Sequence, residues 1–293
     1  MDGGPVIEHS RARIDVSVRG LAGELVDRLQ RIAAKSPLAV RFAVALRNQR
    51  RCVIKYHLAD SPDALESGER WLVLRVATFG ERFVDVGANV GDWLGMAREA
   101  RAGRPFAAIA FEPSRSAFAE LQRRFGDDPQ IALHDVALGA APESRPFFEE
   151  EKAGKGSSLV ADFVRTAGSR RTITISTLDA ALRDAGWDRV DLVKIDAEGY
   201  DLHVMRGAHE AIAARTIAVL QFEYNRAWQL AGDTLRGAYY VLEDAGYRIF
   251  VLKREGLYTL DYLRYEEYFE YTNFVAIAPG RMAMFEDCLR GVI

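Results

Sequence analysis

Cysteine is scarce in this 293-residue chain, and its two copies, Cys52 and Cys288, lie far apart. They can form neither a disulfide framework nor a zinc-ligand cluster, which excludes a disulfide-rich scaffold and a cysteine-based metal domain. Positive charge is not in excess either, because the formal net charge is −3. Binding to the phosphate backbone of a nucleic acid usually needs an excess of positive charge, so we expect no nucleic-acid partner.

Long apolar runs are also absent. None approaches the roughly 18 to 20 residues that span a bilayer. The first 14 residues include acidic and polar residues where a signal peptide would have its apolar core. We therefore expect no membrane span and a cytoplasmic location. Hydrophobic residues make up 49% of the chain, which is enough for a packed core and excludes intrinsic disorder.

The first part of the chain has helical periodicity, from about Leu21 to Leu58, with a break at Ser36-Pro37. We assign residues 1–70 to an N-terminal helical cap or oligomerisation region, through which the chain could form a homodimer. Five cations lie in its second helix: Arg41, Arg47, Arg50, Arg51 and Lys55. They are either a solvated face or oligomer rim, or a lid that attracts an anionic substrate.

Residues 71–293 alternate short apolar runs with helix-length segments. This alternation predicts an α/β fold of βαβ units, with a mostly parallel sheet covered on both faces. The predicted strands are Phe83–Val86, Ala107–Phe111, Ile131–Val136, Val190–Ile195, Ile217–Phe222, Tyr247–Leu252 and Asn273–Ile277. The predicted helices are Trp93–Arg101, Arg115–Phe125, Leu178–Ala185 and Leu202–Ala213. No long helix separates the last two strands, so we expect them to form an antiparallel hairpin at the sheet edge.

One polar stretch, residues 143–172, interrupts the alternation. It contains Glu149, Glu150 and Glu151, and then the segment Gly154-Lys155-Gly156-Ser157-Ser158. We interpret it as a mobile loop or a short hairpin insertion, because long loops in compact domains often cover functional sites.

The strongest local motif is the glycine turn after the first strand, Asp85-x-Gly87-x-Asn89-x-Gly91. A buried strand that runs into such a turn and then into a helix presents free N–H groups to a cofactor. The spacing differs from the G-x-G-x-x-G of dinucleotide sites, and an acidic side chain at the strand end would repel a pyrophosphate. An NAD-dependent oxidoreductase is therefore disfavoured, and a cationic ligand is favoured.

Acidic residues also follow the next two strands. Glu112-Pro113 ends the second strand, where a carboxylate can accept hydrogen bonds from both ribose hydroxyls of a nucleoside. Asp135-Val136 ends the third strand, where an acidic side chain beside a small apolar residue can hold an adenine by its amino group. Each carboxylate alone is typical of a helix cap or a turn. Together they predict a nucleoside site at the carboxyl ends of consecutive strands.

These segments resemble the class I S-adenosylmethionine-dependent methyltransferases, and within them the FkbM family. The resemblance covers roughly residues 83–278 and rests on Val84–Gly91, Phe111-Glu112-Pro113, Gly156-Ser157-Ser158-Leu159, Thr177-Leu178-Asp179, Val190–Tyr200 and Arg206-Gly207-Ala208. Lys194-Ile195-Asp196-x-Glu198-Gly199 is its most specific part. Where this chain has Tyr200, the family often has a small residue.

The resemblance implies a Rossmann-like seven-stranded sheet with an antiparallel last strand, S-adenosylmethionine as cofactor, and methylation of a sugar, glycan or polyketide-type hydroxyl. It places Asp85, Gly87 and Gly91 around the methionine part of the cofactor, Glu112 at the ribose and Asp135 near the adenine. The candidate cofactor-binding set also includes Ala88, Asn89, Pro113, Val136 and Asp196.

Methyl transfer is an in-line displacement, and a hydroxyl acceptor needs a base for its proton. Asp196, Glu198 and Glu223 are the candidate catalytic residues, since all three follow or end strands beside the cofactor crevice. Asp196, Glu223 and Asn225 also offer hard oxygen ligands, so a divalent cation is an alternative interpretation. His134, His203 and His209 are weaker candidates for the base.

The C-terminal stretch is rich in tyrosine, which is interpreted as packing or an oligomer interface, or as an aromatic wall for a sugar ring. The sequence as a whole predicts an O-methyltransferase acting on a carbohydrate or natural-product acceptor. An N-methyltransferase of the same fold and a non-catalytic adenosine-nucleotide-binding regulator remain alternatives.

Overall fold

The computed structural model of this chain describes residues 23–58, 67–149, 159 and 169–293. The chain divides into two compact units, Met1–Val53 and Ile54–Ile293. Helix α1 includes residues 23–33, and α2 is Pro37–Leu58, so the interruption falls at Ser36-Pro37 as predicted. None of the described helices is long and apolar enough to cross a bilayer. The assignment of residues 1–70 to a cap or oligomerisation region stays a prediction.

The second unit alternates helices and strands. In chain order its elements are α3 Glu69–Val76, β1 Arg82–Val86, α4 Asp92–Ala100, β2 Ala107–Phe111, α5 Arg115–Phe125, β3 Ile131–His134, β4 Ala137–Leu138, β5 Glu143–Glu149, β6 Ser169–Ser176, α6 Leu178–Asp184, β7 Leu192–Ile195, α7 Asp201–Arg206, α8 His209–Ala213, β8 Val219–Tyr224, α9 Arg226–Ala231, α10 Leu235–Asp244, β9 Arg248–Lys253, β10 Gly256–Thr259, α11 Tyr262–Tyr265, β11 Thr272–Ile277 and β12 Leu289–Val292. Two short 3₁₀ helices, Pro279–Met284 and Glu286–Cys288, precede β12.

The main sheet has nine strands in the order β12-β10-β9-β11-β8-β7-β1-β2-β3. Strands β3, β2, β1, β7 and β8 are parallel, and β11 lies antiparallel between β8 and β9. This confirms the mostly parallel sheet with an antiparallel last strand. The expected seven strands are present, but β10 and β12 extend the sheet, so the β9–β11 pair is not at its edge. Both added strands are only four residues long, too short for the sequence pattern to distinguish from loop.

A second, three-stranded sheet has the order β4-β6-β5. Strands β5 and β6 pair antiparallel from Glu143 opposite Ile175 to Glu149 opposite Ser169, which agrees with the predicted hairpin insertion. Glu150, Glu151 and the glycine-serine segment 154–158 lie outside the described residues. The predicted strand 131–136 ends at His134, because the chain then leaves the main sheet to pair β4 with β6.

The core lies on both faces of the main sheet, because side chains alternate along each strand. Val84 and Val86 of β1 pack with the side chains of α6, α7, α8 and α10, whereas Phe83 packs with α3 and α4. Asp85 therefore shares the face of Phe83, beneath α3 and α4.

The predicted helix 202–213 is two helices in the structure, α7 and α8, which are separated at Gly207. A Cβ at Gly207 would lie 1.9 Å from the main-chain oxygen of Gly139. This close approach of two chain segments is a tertiary contact, so the periodicity of the sequence did not reveal it.

Candidate active site

Most of the predicted site residues meet at the carboxyl ends of four neighbouring parallel strands. Asp85 of β1 lies in register with Lys194 of β7, and Lys194 lies in register with Gln221 of β8. Glu112 directly follows β2, and Glu223 lies near the end of β8. The structure thus brings together residues that are up to 138 positions apart in the sequence, at the edge where open α/β sheets bind ligands.

The glycine turn between β1 and α4 depends on close backbone approaches. Gly87 has a φ of 78°, and a Cβ there would lie 1.9 Å from the main-chain oxygen of Asp196. Gly91 has a φ of 85° and lies against Leu121 and Phe125 of α5, where a Cβ would be 2.6 Å from each side chain. Glycine is the residue that these two positions admit.

Glu112 is held by the main chain around it. Its Oε2 accepts a hydrogen bond from the Asn89 N–H at 2.7 Å, and its Oε1 accepts one from the Ser114 N–H at 2.7 Å. Burial raises the pKa of Glu112 to about 7, although the two N–H donors partly oppose the shift. A carboxylate has about four acceptor sites, so about two remain for a ligand.

Among the described residues, Lys194 is the cation that pairs with the carboxylates at this edge of the sheet. Its Nζ lies 2.9 Å from Asp196 Oδ2 and 3.8 Å from Asp85 Oδ1, and Asp85 is fully buried. Burial raises the pKa of Asp85 to about 6, whereas Lys194 acts to lower it. Burial also tends to lower the pKa of Lys194, but the carboxylates around it outweigh that effect and raise the pKa.

Glu69, at the start of α3, joins this cluster and was missed by the sequence analysis. Its Oε1 accepts hydrogen bonds from Gln221 Nε2 at 3.0 Å and from Asn273 Nδ2 at 3.2 Å. Burial raises the pKa of Glu69, and Lys194 opposes the shift. Two features of the sequence indicated that a further polar partner was needed: Lys194 lies within one apolar strand, and Gln221 lies within another. Lysine and glutamine are rarely buried without partners.

Glu223 is held by the residues that follow β8. Its Oε1 accepts a hydrogen bond from Asn225 Nδ2 at 2.5 Å, and its main-chain oxygen accepts one from Trp228 Nε1 at 2.8 Å. Burial, together with the carboxylates of Asp196 and Glu198, raises the pKa of Glu223 well above its usual value. Glu223 therefore has a high affinity for a proton.

The predicted cation ligands Asp196, Glu223 and Asn225 have protein partners already. The Asn225 Oδ1 accepts a hydrogen bond from the Ala227 N–H at 2.7 Å and caps α9, while its Nδ2 bonds Glu223. Among the described residues, the one group of three His, Cys, Asp or Glu side chains with suitably close ligand atoms is Asp179, His209 and Glu210. Both Asp179 oxygens there accept main-chain N–H groups at the start of α8, which is a structural role.

Other predicted residues lie further from this cluster. The Asp135 side chain is exposed after β3, and Val136 is partly buried. His134 is exposed and stacks on Phe111, whereas His203 stacks on Tyr200 with ring centroids 4.1 Å apart.

Tyr200 packs against the small sheet. Its hydroxyl accepts a hydrogen bond from Arg145 at 2.5 Å and donates one to Glu143 at 3.3 Å. An aromatic residue is accommodated there because the β5–β6 hairpin covers it.

The C-terminal tyrosines pack around one carboxylate. The hydroxyls of Tyr224 and Tyr262 both donate to Glu267 at 2.8 Å. Glu267 also accepts the N–H groups of Leu235 and Arg236 at the start of α10. These contacts agree with the packing interpretation of this stretch.

The chemistry of the cluster fits S-adenosylmethionine, the cofactor that the family resemblance implies. Asn89 Oδ1 is buried beside the glycine turn and has no hydrogen-bond partner among the described residues. Glu69, Asp85 and Asp196 outnumber the single cation Lys194, so the cluster attracts positive charge. A ligand with hydroxyl and amino donors and a sulfonium cation would satisfy both features.

The family model for the methyltransferase FkbM domain matches residues 85–249. A methyltransferase FkbM from Methylobacillus flagellatus KT aligns with 67% of this chain and 43% of its own, at 20% identity and a TM-score of 0.44. The alignment therefore spans less than half of that protein.

Two further solved structures are less similar in sequence. A precorrin-6y C5,15-methyltransferase from Geobacter metallireducens GS-15 aligns with 71% of this chain and 87% of its own, at 13% identity and a TM-score of 0.38. Fibrillarin from Aeropyrum pernix, solved with S-adenosyl-L-methionine bound, aligns with 68% of this chain and 66% of its own, at 12% identity and a TM-score of 0.36. No curated protein matches the chain in sequence.

Proposed function

Because this chain belongs to the FkbM methyltransferase domain family, we propose that it is an S-adenosylmethionine-dependent O-methyltransferase. Its acceptor is a hydroxyl of a sugar, a glycan, or a glycosylated or polyketide-type small molecule. The observation that carries the proposal is the position of Glu223, whose pKa is raised by burial, at the same sheet edge as the glycine turn and Glu112. A proton acceptor and a nucleoside site then lie at the same edge of the sheet.

The cofactor is held by residues at the ends of β1, β2 and β3. Asp85, Gly87, Ala88, Asn89 and Gly91 surround its methionine part. When bound, S-adenosylmethionine supplies a methyl group attached to a positively charged sulfur.

The nucleoside part lies against the next two strand ends. The free acceptor sites of Glu112 take the two ribose hydroxyls, with Pro113 beside them, and Asp135 and Val136 lie at the adenine.

The acceptor hydroxyl loses its proton to a carboxylate. Glu223 is the base, since its raised pKa brings its proton affinity closer to that of a hydroxyl. Asp196 orients the acceptor or the amino group of the methionine part, and its ion pair with Lys194 fixes its position. Glu198, whose φ is 48°, adds negative charge beside Glu223 and so raises the proton affinity of that group.

A side-chain base is favoured over a divalent cation at Asp196, Glu223 and Asn225. The Asn225 Nδ2 already donates a hydrogen bond to Glu223, and the Asn225 Oδ1 caps α9 by accepting the Ala227 N–H. A cation that took the Asn225 oxygen and Glu223 would compete with both contacts.

Cofactor binding is tested by calorimetric titration with S-adenosylmethionine and S-adenosylhomocysteine, with NAD as the control ligand. We expect both sulfur compounds to bind and NAD not to bind. Glu112→Ala should weaken binding by more than about tenfold, because two hydrogen bonds to ribose are lost. Glu120→Ala removes a carboxylate of α5 that pairs with Arg123, and this variant should bind the cofactor as the wild type does.

Transfer is tested with methyl-labelled cofactor and a panel of glycan and natural-product acceptors, with the product identified by mass spectrometry. Glu223→Gln should lower turnover by about 100-fold or more, since the proton acceptor is lost. Affinity for S-adenosylhomocysteine should stay within about threefold. Absence of cofactor binding would overturn the proposal, and methylation of nitrogen in place of oxygen would replace it with the N-methyltransferase alternative.

A further inference from the structure

Helix α2 presents an exposed apolar stripe in the N-terminal unit. Its members are Leu38, Phe42, Leu46 and Val53, which are 75%, 66%, 55% and 68% exposed. Spacings of four and seven residues place them on one side of the helix. Large apolar side chains are seldom exposed together on one side of a helix that faces only water.

Helix α1, in the same compact unit, repeats the pattern. Leu25, Leu29 and Ile32 recur at helical spacing and are 60%, 56% and 60% exposed. The exposed apolar surface is therefore a property of the N-terminal unit, not of one residue.

The charge of α2 indicates what covers the stripe. The helix has no Asp or Glu, and it contains the cations Arg41, Arg47, Arg50, Arg51 and Lys55. The whole chain has a formal net charge of −3, so positive charge is concentrated on this helix. At about 100° per residue, Arg41 and Arg50 lie roughly a quarter turn to either side of the stripe.

An apolar stripe bordered by arginines is the pattern of a helix that lies in the surface of an anionic bilayer. Aliphatic and aromatic side chains enter the boundary between headgroups and acyl chains, and the flanking arginines extend to the anionic headgroups. A second copy of this chain fits less well, because its α2 would bring the same positive charges together. The described helices are also too polar to cross a bilayer.

We infer that α2 binds the surface of anionic lipid membranes through this stripe and its flanking arginines. The ligand is the anionic lipid surface itself, not a single headgroup in a pocket. The inference is independent of the methyl-transfer proposal, because it concerns surface residues of the N-terminal unit.

The test is flotation of the full-length protein with vesicles of phosphatidylcholine alone and of phosphatidylcholine mixed with phosphatidylglycerol. We expect binding to the mixed vesicles that falls as salt is raised, and at least about tenfold weaker binding to phosphatidylcholine alone. Phe42→Glu should weaken binding to mixed vesicles by on the order of 50-fold, because both apolar burial and charge attraction are reduced.

The matched control is Asn48→Glu, which makes the same charge change at an exposed position of α2 away from the stripe. It should weaken binding only by about fivefold, the effect of one charge at the surface. Circular dichroism of each variant checks that the helices are retained.

Three results would overturn the inference. They are equal binding to both vesicle types, equal effects of the two variants, and no vesicle binding by the wild type. In the last case, light scattering that shows a dimer dissociated by Phe42→Glu would assign the stripe to self-association.

Discussion

At the scale of single residues, Lys194 determines the electrostatics of the site. It is buried in a strand whose other residues are apolar, and its Nζ contacts Asp196 and lies near Asp85. Removing one member of a buried ion cluster lowers the free energy of unfolding by more than the ion pair itself contributes to it. The reason is that the remaining buried charges lose their counterion. Asp85, which is fully buried, depends most on this lysine.

Lys194→Met should lower the free energy of unfolding by about 3 to 5 kcal/mol, as for other buried pairs that lose one partner. Adding Asp85→Asn to it should recover part of the loss, since the uncompensated carboxylate is then removed. Urea unfolding of the wild type, both single variants and the double variant gives the coupling energy. A loss below about 1 kcal/mol in Lys194→Met would show that water or relaxation compensates the carboxylates.

At the scale of elements, the turn between β1 and α4 is shaped by its contact with the end of β7. Gly87 lies against the main-chain oxygen of Asp196, so two strand ends are held at backbone distance. Tight packing of this kind fixes the spacing between the glycine turn and Asp196. It also makes the turn intolerant of a single added methyl group.

Gly87→Ala should destabilise the protein by more than about 3 kcal/mol and weaken S-adenosylhomocysteine binding, because both backbone strain and a steric clash are introduced. Gly103→Ala is the matched control, since Gly103 has a φ of 73° but no atom within 4 Å of an added Cβ. It should cost only about 1 kcal/mol, the strain of a left-handed residue. Thermal unfolding measures the stability of both variants. Equal losses of stability in Gly87→Ala and Gly103→Ala would show that backbone strain alone matters at Gly87.

At the scale of the whole molecule, buried carboxylates make stability depend on pH. Burial raises the pKa of Asp85 to about 6 and of Glu112 to about 7, and also raises those of Glu69, Asp201 and Glu223. Between their unfolded and folded pKa values, the folded state binds more protons than the unfolded state. For Asp85 and Glu112, the contribution to stability is therefore complete below about pH 4 and is lost as the pH rises to about 7.

The free energy of unfolding should accordingly fall as the pH rises from about 5 to about 8. Asp85→Asn should flatten this fall by on the order of 1 kcal/mol, because only about one pH unit of the range lies below the folded-state pKa of Asp85, which is about 6. Glu120→Gln should leave the profile between about pH 5 and about 8 unchanged, because Arg123 lowers the pKa of Glu120 and this carboxyl group stays ionised over that range. Denaturant titrations across this range test the prediction, and parallel profiles for wild type and Asp85→Asn would contradict it.

The sequence by itself determined the alternation of strands and helices and the strand ends that hold the site. Strand β2 and helix α5 have their predicted bounds, because apolar runs and helical spacing are local properties of the chain. The motif residues Asp85, Glu112, Asp196 and Glu223 could be placed at one edge because parallel strands end together. Their roles in binding and catalysis stay proposals.

Only the tertiary structure decided which groups surround these residues. Glu69 reaches Gln221 and Asn273 across 152 and 204 positions of the sequence. Gly207, between α7 and α8, lies against the main-chain oxygen of Gly139. The extra strands β10 and β12 likewise depend on pairing with distant partners. Such contacts depend on how helices and strands pack against one another. The hydrophobic periodicity of a single segment contains no information about that packing.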